Sequence, residues 1–599
     1  MESIKAQDIE RFKEALGFQP SEYQNKIFNF IIHQTGNAVI KARAGSGKTA
    51  TLIAAMKLIP SRKNCLFLAF NKSVKDEITK KLVNNENCTV KTVHGLGFSI
   101  ISQNLDKQPE VDDNKYRTYL NKNLSKLSTA QLPPHKTNAL ADYCDNIIQL
   151  LEFARLNLAQ SAREINKIAD TYSIPVNYDE TNVVMSLMDW GKNNTDTIDY
   201  TDMVWLPNEL FMNPKSNKYD WIFNDEAQDY SVAYVKLFIK CFKRGTRFVS
   251  CGDEFQSINQ FAGASETAFQ EMCDYPNTQV FDLPISYRCD VKIIQEANQF
   301  VSDIFAHPDA GLGLIKHKSS LSEIKDNDMV LCRTNAPLFK IYAKLIKNNT
   351  PCYIKGKDDD KDTMLSIIRR FSVGEELGKS LDKDGLFPRL YEDMVNERNR
   401  LAENGLDIPG AINSQSVQAK YDRIASLLTI AADCDSVSCL INKIENIYNS
   451  DKVGVCLSTI HKAKGLEADN VHILCRSSMP QKSAKTPSEL QQERNLIYVA
   501  ITRAKHKLCY VSEQEFPPTR NVSHEGDEVV EFNYIESKVC QLYNKQPFQP
   551  INNVELAKFR LKNSTQLDSL HKNDNVKIIQ QPSPNNKTNR NDLLSKLLK

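Results

Sequence analysis

The sequence predicts an α/β protein with two parallel sheets, each interrupted by a mainly helical insertion. Three observations carry that expectation. Short apolar runs of strand length alternate with helical stretches, the pattern of strands buried on both faces between helices. A glycine-rich segment, Ala42-Arg43-Ala44-Gly45-Ser46-Gly47-Lys48-Thr49, directly follows the first run. A carboxylate pair, Asp225-Glu226, directly follows a later one, Trp221-Ile222-Phe223.

The elements follow in chain order. Asn37–Lys41 reads as a strand entering the glycine-rich loop, and Thr49–Leu58 as a helix that Pro60 ends. Cys65–Phe70 is a continuous apolar run, and Trp221–Phe223, Arg247–Cys251 and Val280–Leu283 complete the first set. The second set is Met329–Cys332, Cys352–Ile354, Val453–Leu457, Val471–Leu474 and Leu508–Val511. Residues 105–200 and 366–450 lack the strand pattern and read as helical insertions. The division expected is 1–104, 201–284 (first sheet domain), 105–200 (its insertion), 285–365, 451–515 (second sheet domain) and 366–450 (its insertion). A C-terminal extension (516–549) and a disordered basic tail (550–599) follow. The tail is rich in Asn, Lys, Ser and Gln, so it reads as a solvated segment or a tether for nucleic acid or a protein partner.

Composition narrows the function classes. With 41% hydrophobic and 25% charged residues the chain is an ordinary globular one, and a net charge of +2 excludes a globally basic nucleic-acid binder but not a local basic groove. The 15 cysteines are odd in number, and none has C-x-x-C spacing. That favours free thiols in a reducing compartment over a zinc or iron–sulfur site. No leader-like segment and no apolar run of membrane-spanning length stand out, so the expectation is an intracellular, soluble protein.

The chemistry sits in the two motifs. Gly45 and Gly47 let backbone N–H groups of Ala44, Ser46 and their neighbours curl around phosphate oxygens without Cβ clashes. Lys48 offers a charge to the β- and γ-phosphates, and Thr49 offers a hydroxyl to Mg2+ at a helix start. Asp225, at a strand's C-terminal end, is placed to hold the metal through water, and Glu226 to act as general base. The expected ligands are ATP and Mg2+.

From these motifs onward the chain resembles superfamily 1A helicases of the UvrD/Rep/PcrA type, over roughly residues 15–515. That resemblance implies two RecA-like P-loop NTPase domains. Gln24 looks like the adenine-reading glutamine. Gly252–Ile258 resembles the third motif, with Gln256 as γ-phosphate sensor and Phe261 as a base-stacking aromatic. Leu283–Arg288 resembles the fourth, with Tyr287 on adenine and Arg288 on the γ-phosphate. Val455–Glu467 resembles the fifth, with Thr459 and His461 on DNA and Glu467 on the ribose. Glu493–Lys505 resembles the sixth, with Arg503 as an arginine finger. Leu68–Ser73 and Thr92–Leu96 look closest to the F-box helicase branch, and imply DNA contacts from Phe70, Asn71, Thr92 and His94. Because the sequence starts almost directly at the adenine-reading segment, the expectation is a chain without an F-box. The resemblance implies a DNA motor moving 3′ to 5′ on single strands and at junctions with duplex, in replication, recombination or repair. Two alternatives stay open: a translocase that strips proteins from single strands with little unwinding, and an ATP-switched DNA-binding module.

Overall fold

The computed structural model describes residues 5–516, apart from 84, 128–137, 173, 175–177, 216–217, 259–262, 264–265, 357, 373, 375–376, 378–384, 404–409, 412 and 450–452. The expected extension beyond Phe516, the basic tail and Phe261 lie outside the described residues.

Two six-stranded, all-parallel sheets organise the chain. The first uses β1 (Asn37–Ala42), β2 (Cys65–Ala69) and β3 (Cys88–Thr92). Short strands β4 (Glu110–Val111) and β5 (Thr197–Ile198) then pair with each other at the two ends of the first helical stretch. β6 (Tyr219–Asn224), β7 (Phe242–Gly252) and β8 (Thr278–Leu283) complete the first sheet, in the order β3-β2-β6-β7-β1-β8. Strands β9 (Ile285–Ser286) and β10 (Phe305–Ala306) form a second small pair. The second sheet uses β11 (Leu314–Ser319), β12 (Met329–Cys332), β13 (Cys352–Ile354), β14 (Val455–Thr459), β15 (Ala468–Ile473) and β16 (Ala504–Val511). Its order is β11-β16-β15-β12-β14-β13.

Side-chain alternation explains why the strands are apolar throughout. Val39, Leu66, Leu68 and Ile222 enter one core, while Ala38, Ile40, Phe67 and Phe223 enter another on the opposite face. Successive residues of a strand point to opposite faces, so both sets must be apolar. The second sheet repeats this: Val330 and Leu457 face one core, Leu331 and Cys456 the other.

The helical insertions are built into these cores. Leu120, Leu150 and Leu187 share the core of Leu66 and Ile222, and Phe387, Met394 and Ile424 share that of Val330. Among the described residues no single helix is long and apolar enough to cross a membrane. The apolar bent pair Gln415–Asp433 and Val437–Asn449 contributes to the second core.

Five strands depart from expectation. β3 and β11 are strands that the apolar-run pattern did not single out: β3 carries Lys91 and two threonines, and β11 is largely exposed at the sheet edge. β7 begins at Phe242, earlier than its apolar run. The β4–β5 pair shows that the first insertion is not purely helical.

Candidate active site

The loop after β1 turns on two glycines in the left-handed region, Gly45 (φ 72°) and Gly47 (φ 78°). Gly47 also stands at the N-cap of the helix Lys48–Lys57. A Cβ on Gly45 would lie 2.6 Å from Arg288 Cβ and 2.7 Å from Ser286 Oγ. Glycine there permits both the turn and the close approach of the segment leading to the second sheet. The Ser46 hydroxyl is buried without a hydrogen-bond partner. The Ala44 N–H, expected to face phosphate, instead donates to the Tyr498 hydroxyl at 2.9 Å.

Asp225 and Glu226 follow β6. The Thr49 hydroxyl donates to Asp225 Oδ2 at 2.5 Å, and Lys48 Nζ lies 3.3 Å from Glu226 Oε1. Glu226 is held at φ 53°, an uncommon conformation for a residue with a side chain. Gln228 Nε2 donates to its other oxygen, Glu226 Oε2. Burial and the neighbouring Glu226 charge raise the Asp225 pKa. Burial acts to raise Glu226 as well, but Lys48 and Lys464 overcome it and bring its pKa down. The two carboxyls are thus pushed apart, the arrangement that lets one stay an ionised base. The donor set fits a hard cation: a hydroxyl and a carboxylate side by side, with Ser46 as an orphaned polar atom in the adjoining loop.

The third motif meets this centre through Asp253, which is fully buried. Gln256 Nε2 donates to Asp253 Oδ2 at 2.6 Å, Tyr498 OH donates to the same oxygen at 3.3 Å, and the Asp253 N–H donates to Gln228 Oε1 at 2.9 Å. Lys464, from the segment after β14, pairs with Asp229 and donates to the Gln256 carbonyl at 2.7 Å. Its Nζ is also 4.0 Å from Glu226 Oε2. Asn495 Nδ2 donates to the Ser257 carbonyl at 2.9 Å. Sequence reading assigned no role to Lys464, Asp229, Asp253 or Tyr498. All lie within or beside the quoted motifs, and a charged or phenolic residue amid an apolar strand-end segment was the available signal.

Other expected residues have different local partners. Gln24 is fully buried, closes a capping box with Ser21 at the start of the helix Glu22–His33 and donates to Thr51 Oγ1, in the helix Lys48–Lys57, at 3.0 Å. Tyr287 is half exposed; its N–H donates to the Gly45 carbonyl at 2.9 Å and its ring packs on His307 at 4.8 Å. Arg288 Nε pairs with Glu467 Oε2 at 2.7 Å, and Lys505 pairs with the other Glu467 oxygen at 3.0 Å. Arg503 is only 1% exposed and donates to the carbonyls of Val499 and Leu466, each at 3.0 Å. Burial and Arg288 lower its pKa to about 10, so it remains a cation at neutral pH. The structure therefore places Arg503 behind Arg288, packed against its own helix and the fifth-motif loop, rather than free at the loop's mouth.

Apart from Phe261, which lies outside the described residues, the residues expected on DNA lie at or just after C-terminal strand ends, the edge where open parallel sheets bind ligands. Phe70 and Asn71 follow β2; Asn71 Oδ1 caps the helix Lys72–Lys81 by accepting from Val74 N at 2.9 Å. Thr92 ends β3 and caps the helix Val93–Asn104 by accepting from Gly95 N at 3.0 Å. His94 Nε2 is 3.1 Å from the Tyr234 hydroxyl, and burial lowers its pKa. Thr459 ends β14 and is buried. His461 follows it, and burial, Arg333 and Lys462 hold it neutral.

A glycine-turned phosphate loop, an adjoining carboxylate pair and a second parallel sheet whose residues close on that loop define a RecA-like P-loop NTPase. Residues 23–276 match the UvrD/REP helicase N-terminal domain, and residues 387–515 match the UvrD-like helicase C-terminal domain. The chain belongs to the UvrD-like, superfamily 1A helicases. It is 25% identical over 523 residues to F-box DNA helicase protein 1 of Schizosaccharomyces pombe, covering 78% of this chain and 55% of that one. It is 22% identical to the ATP-dependent DNA helicase PcrA of Bacillus subtilis, covering 86% of this chain and 87% of that one. It is 21% identical to the ATP-dependent DNA helicase Rep of Buchnera aphidicola, covering 79% and 92%. The chain thus spans about half the length of the F-box relative and most of the other two.

Proposed function

We propose that this chain is an ATP-dependent DNA helicase that translocates 3′ to 5′ on single-stranded DNA and unwinds duplex at junctions. The observation that carries the reading is Lys464. It leaves the second sheet, pairs with Asp229, reaches the Gln256 carbonyl and comes within 4.0 Å of Glu226. A change at the general base is thereby felt on the segment that bears Thr459 and His461.

In this reading Lys48 and the loop N–H groups bind the triphosphate, and Glu226 takes a proton from the attacking water. Thr49 and Asp225 would hold Mg2+, which would neutralise charge on the phosphates. Gln256 reports the γ-phosphate, Tyr287 supports the base, Arg288 reaches the phosphate from the second sheet, and Arg503 backs it. Gln24, hydrogen-bonded to Thr51 of the helix behind the loop, reads the adenine, and Glu467 orients Arg288 beside the ribose. Charge-assisted contacts from both sheets draw them together, and their loss after hydrolysis lets them part. Phe70, Asn71, Thr92, His94, Phe261, Thr459 and His461 form the track for DNA. The proposed domain division places the two sheets at 1–104 with 201–284 and at 285–365 with 451–515.

The test is ATPase activity and strand separation on 3′-tailed, 5′-tailed and blunt DNA, with RNA equivalents. DNA-stimulated ATPase and unwinding from 3′ tails are expected. Unwinding only from 5′ tails overturns the direction. Removal of bound protein from single strands without unwinding favours the stripping translocase. ATPase indifferent to DNA overturns the motor.

A further inference from the structure

Arg43 is the one charged side chain inside the glycine-rich loop that binds no phosphate in the reading above. Only 3% exposed, it lies between the two sheets. Its backbone is fixed: the N–H donates to the Leu283 carbonyl at 2.9 Å, and its carbonyl accepts from Ser46 N at 3.1 Å. Its guanidinium forks onto Asp303, with Nε 2.7 Å from Oδ1 and Nη2 2.5 Å from Oδ2. Asp303 follows the helix Val291–Ala297, on the second sheet's side, and is 54% exposed. The other edge of the guanidinium faces Asp253 Oδ1 and Glu254 Oε1, each at 3.4 Å, and the plane lies 4.8 Å from the Phe255 ring.

This geometry ties three parts of the machine at one cation. Asp303 belongs to the second sheet's side, Arg43 to the phosphate loop, and Asp253 to the third motif. Asp253 in turn holds Gln256 and, through Gln228, meets Glu226. A paired-fork contact is directional as well as attractive, so a shift of Asp303 reorients the guanidinium rather than merely weakening it. Asp303 and Asp253 each have a second cation nearby, Lys41 and Lys48 respectively, and Lys41 pairs with Glu254 at 3.2 Å, but Arg43 alone touches all three carboxylates.

We propose that Arg43 and Asp303 form a latch between the phosphate loop and the second sheet, with Arg43 as a positioning residue that couples ATP turnover to DNA. The proposal rests on the motor reading above. Asp303 is the residue to change, because it is half exposed and touches no substrate. Asp303→Ala and Asp303→Asn are expected to keep basal ATPase within about twofold, and to keep Tm within a few degrees. The DNA-stimulated kcat is expected to fall about fivefold or more, with little change in KM for ATP. Asp303→Glu, which keeps a carboxylate within reach, is expected to recover most of the stimulation. Arg43→Lys keeps the charge, loses the fork, and is expected to show the same loss as Asp303→Asn. If Asp303→Ala and Asp303→Asn keep wild-type stimulation, the latch is overturned. Equal loss of basal and stimulated activity also overturns it, since that marks a structural contact alone. Wild-type ATPase that ignores DNA overturns the motor reading instead, so the two failures are distinct.

Discussion

Glu226 combines a left-handed backbone, a nearby Lys48 and a depressed pKa, and each has a measurable consequence. Glu226→Gln is expected to retain nucleotide binding and lower turnover by about 10²–10⁴, the usual worth of a positioned general base. Lys48→Ala is expected to weaken nucleotide binding itself; fluorescent-nucleotide titration separates the two. Gly45→Ala adds a Cβ into Ser286 and Arg288 in a left-handed turn. It is expected to strain the loop by roughly 1–3 kcal/mol, read as a higher KM for ATP with little loss of global stability. The phosphate loop and carboxylate pair were legible because only small residues, one lysine and paired acids satisfy that chemistry at that spacing. Gln24 and Arg503 were legible as motif members but not in their contacts. Whether an amide meets a base or caps its own helix depends on Ser21 and Thr51, which a motif does not encode.

Parallel strands present their C-terminal ends on one side, so the loops after β1, β6, β7 and β8 converge without further instruction. Apolar runs gave the central strands away, since both faces are buried. β3 and β11 escaped because one side meets solvent and their residues are mixed. Asn71 and Thr92 cap helices, so Asn71→Ala and Thr92→Ala are each expected to cost about 1 kcal/mol of stability. Thr92→Ser should keep the cap, and a loss of DNA affinity in that variant would separate a contact role from the cap. Between β12 and β15, buried His472 Nε2 lies 3.0 Å from Asp328 Oδ2, with Asn470 on the other carboxylate oxygen and Cys509 beside the imidazole. Burial opposes the imidazolium, but Asp328 raises the His472 pKa; burial also opposes the carboxylate, but His472 lowers the Asp328 pKa. The His472 contribution is therefore full below the ordinary histidine value, about 6.5, and fades as pH climbs through the raised one. The Asp328 contribution is full above about 3.9 and fades as pH falls through the lowered one. Thermal melts across pH 5–9 should show a decline on the alkaline side that His472→Gln removes.

The two sheets meet through the phosphate loop, Tyr498, Lys464 and Asn495, so nucleotide should stabilise the assembly and not one sheet alone. At about 100 times Kd the expected gain is about 2.7 kcal/mol, seen as a higher Tm that Lys48→Ala abolishes. Phe261→Ala is expected to reduce DNA stimulation more than basal ATPase, through loss of about 1–3 kcal/mol of base stacking. The register of β1 carries a different lesson, about how the chain comes to exist. Its neighbours are β7 and β8, so Ala38 must find Val249 and Gln279 before its ladder is complete. Non-local parallel pairing folds slowly. As the ribosome releases the chain, the helix Lys48–Lys57 can form early, but the strand that aims its N-terminus has no partner until β7 emerges and keeps one edge open until β8 does. A nascent chain stopped before Leu283 should fail to retain nucleotide, and one released beyond the second helical stretch should succeed. The first strand made is thus among the last in its sheet to be paired on both sides.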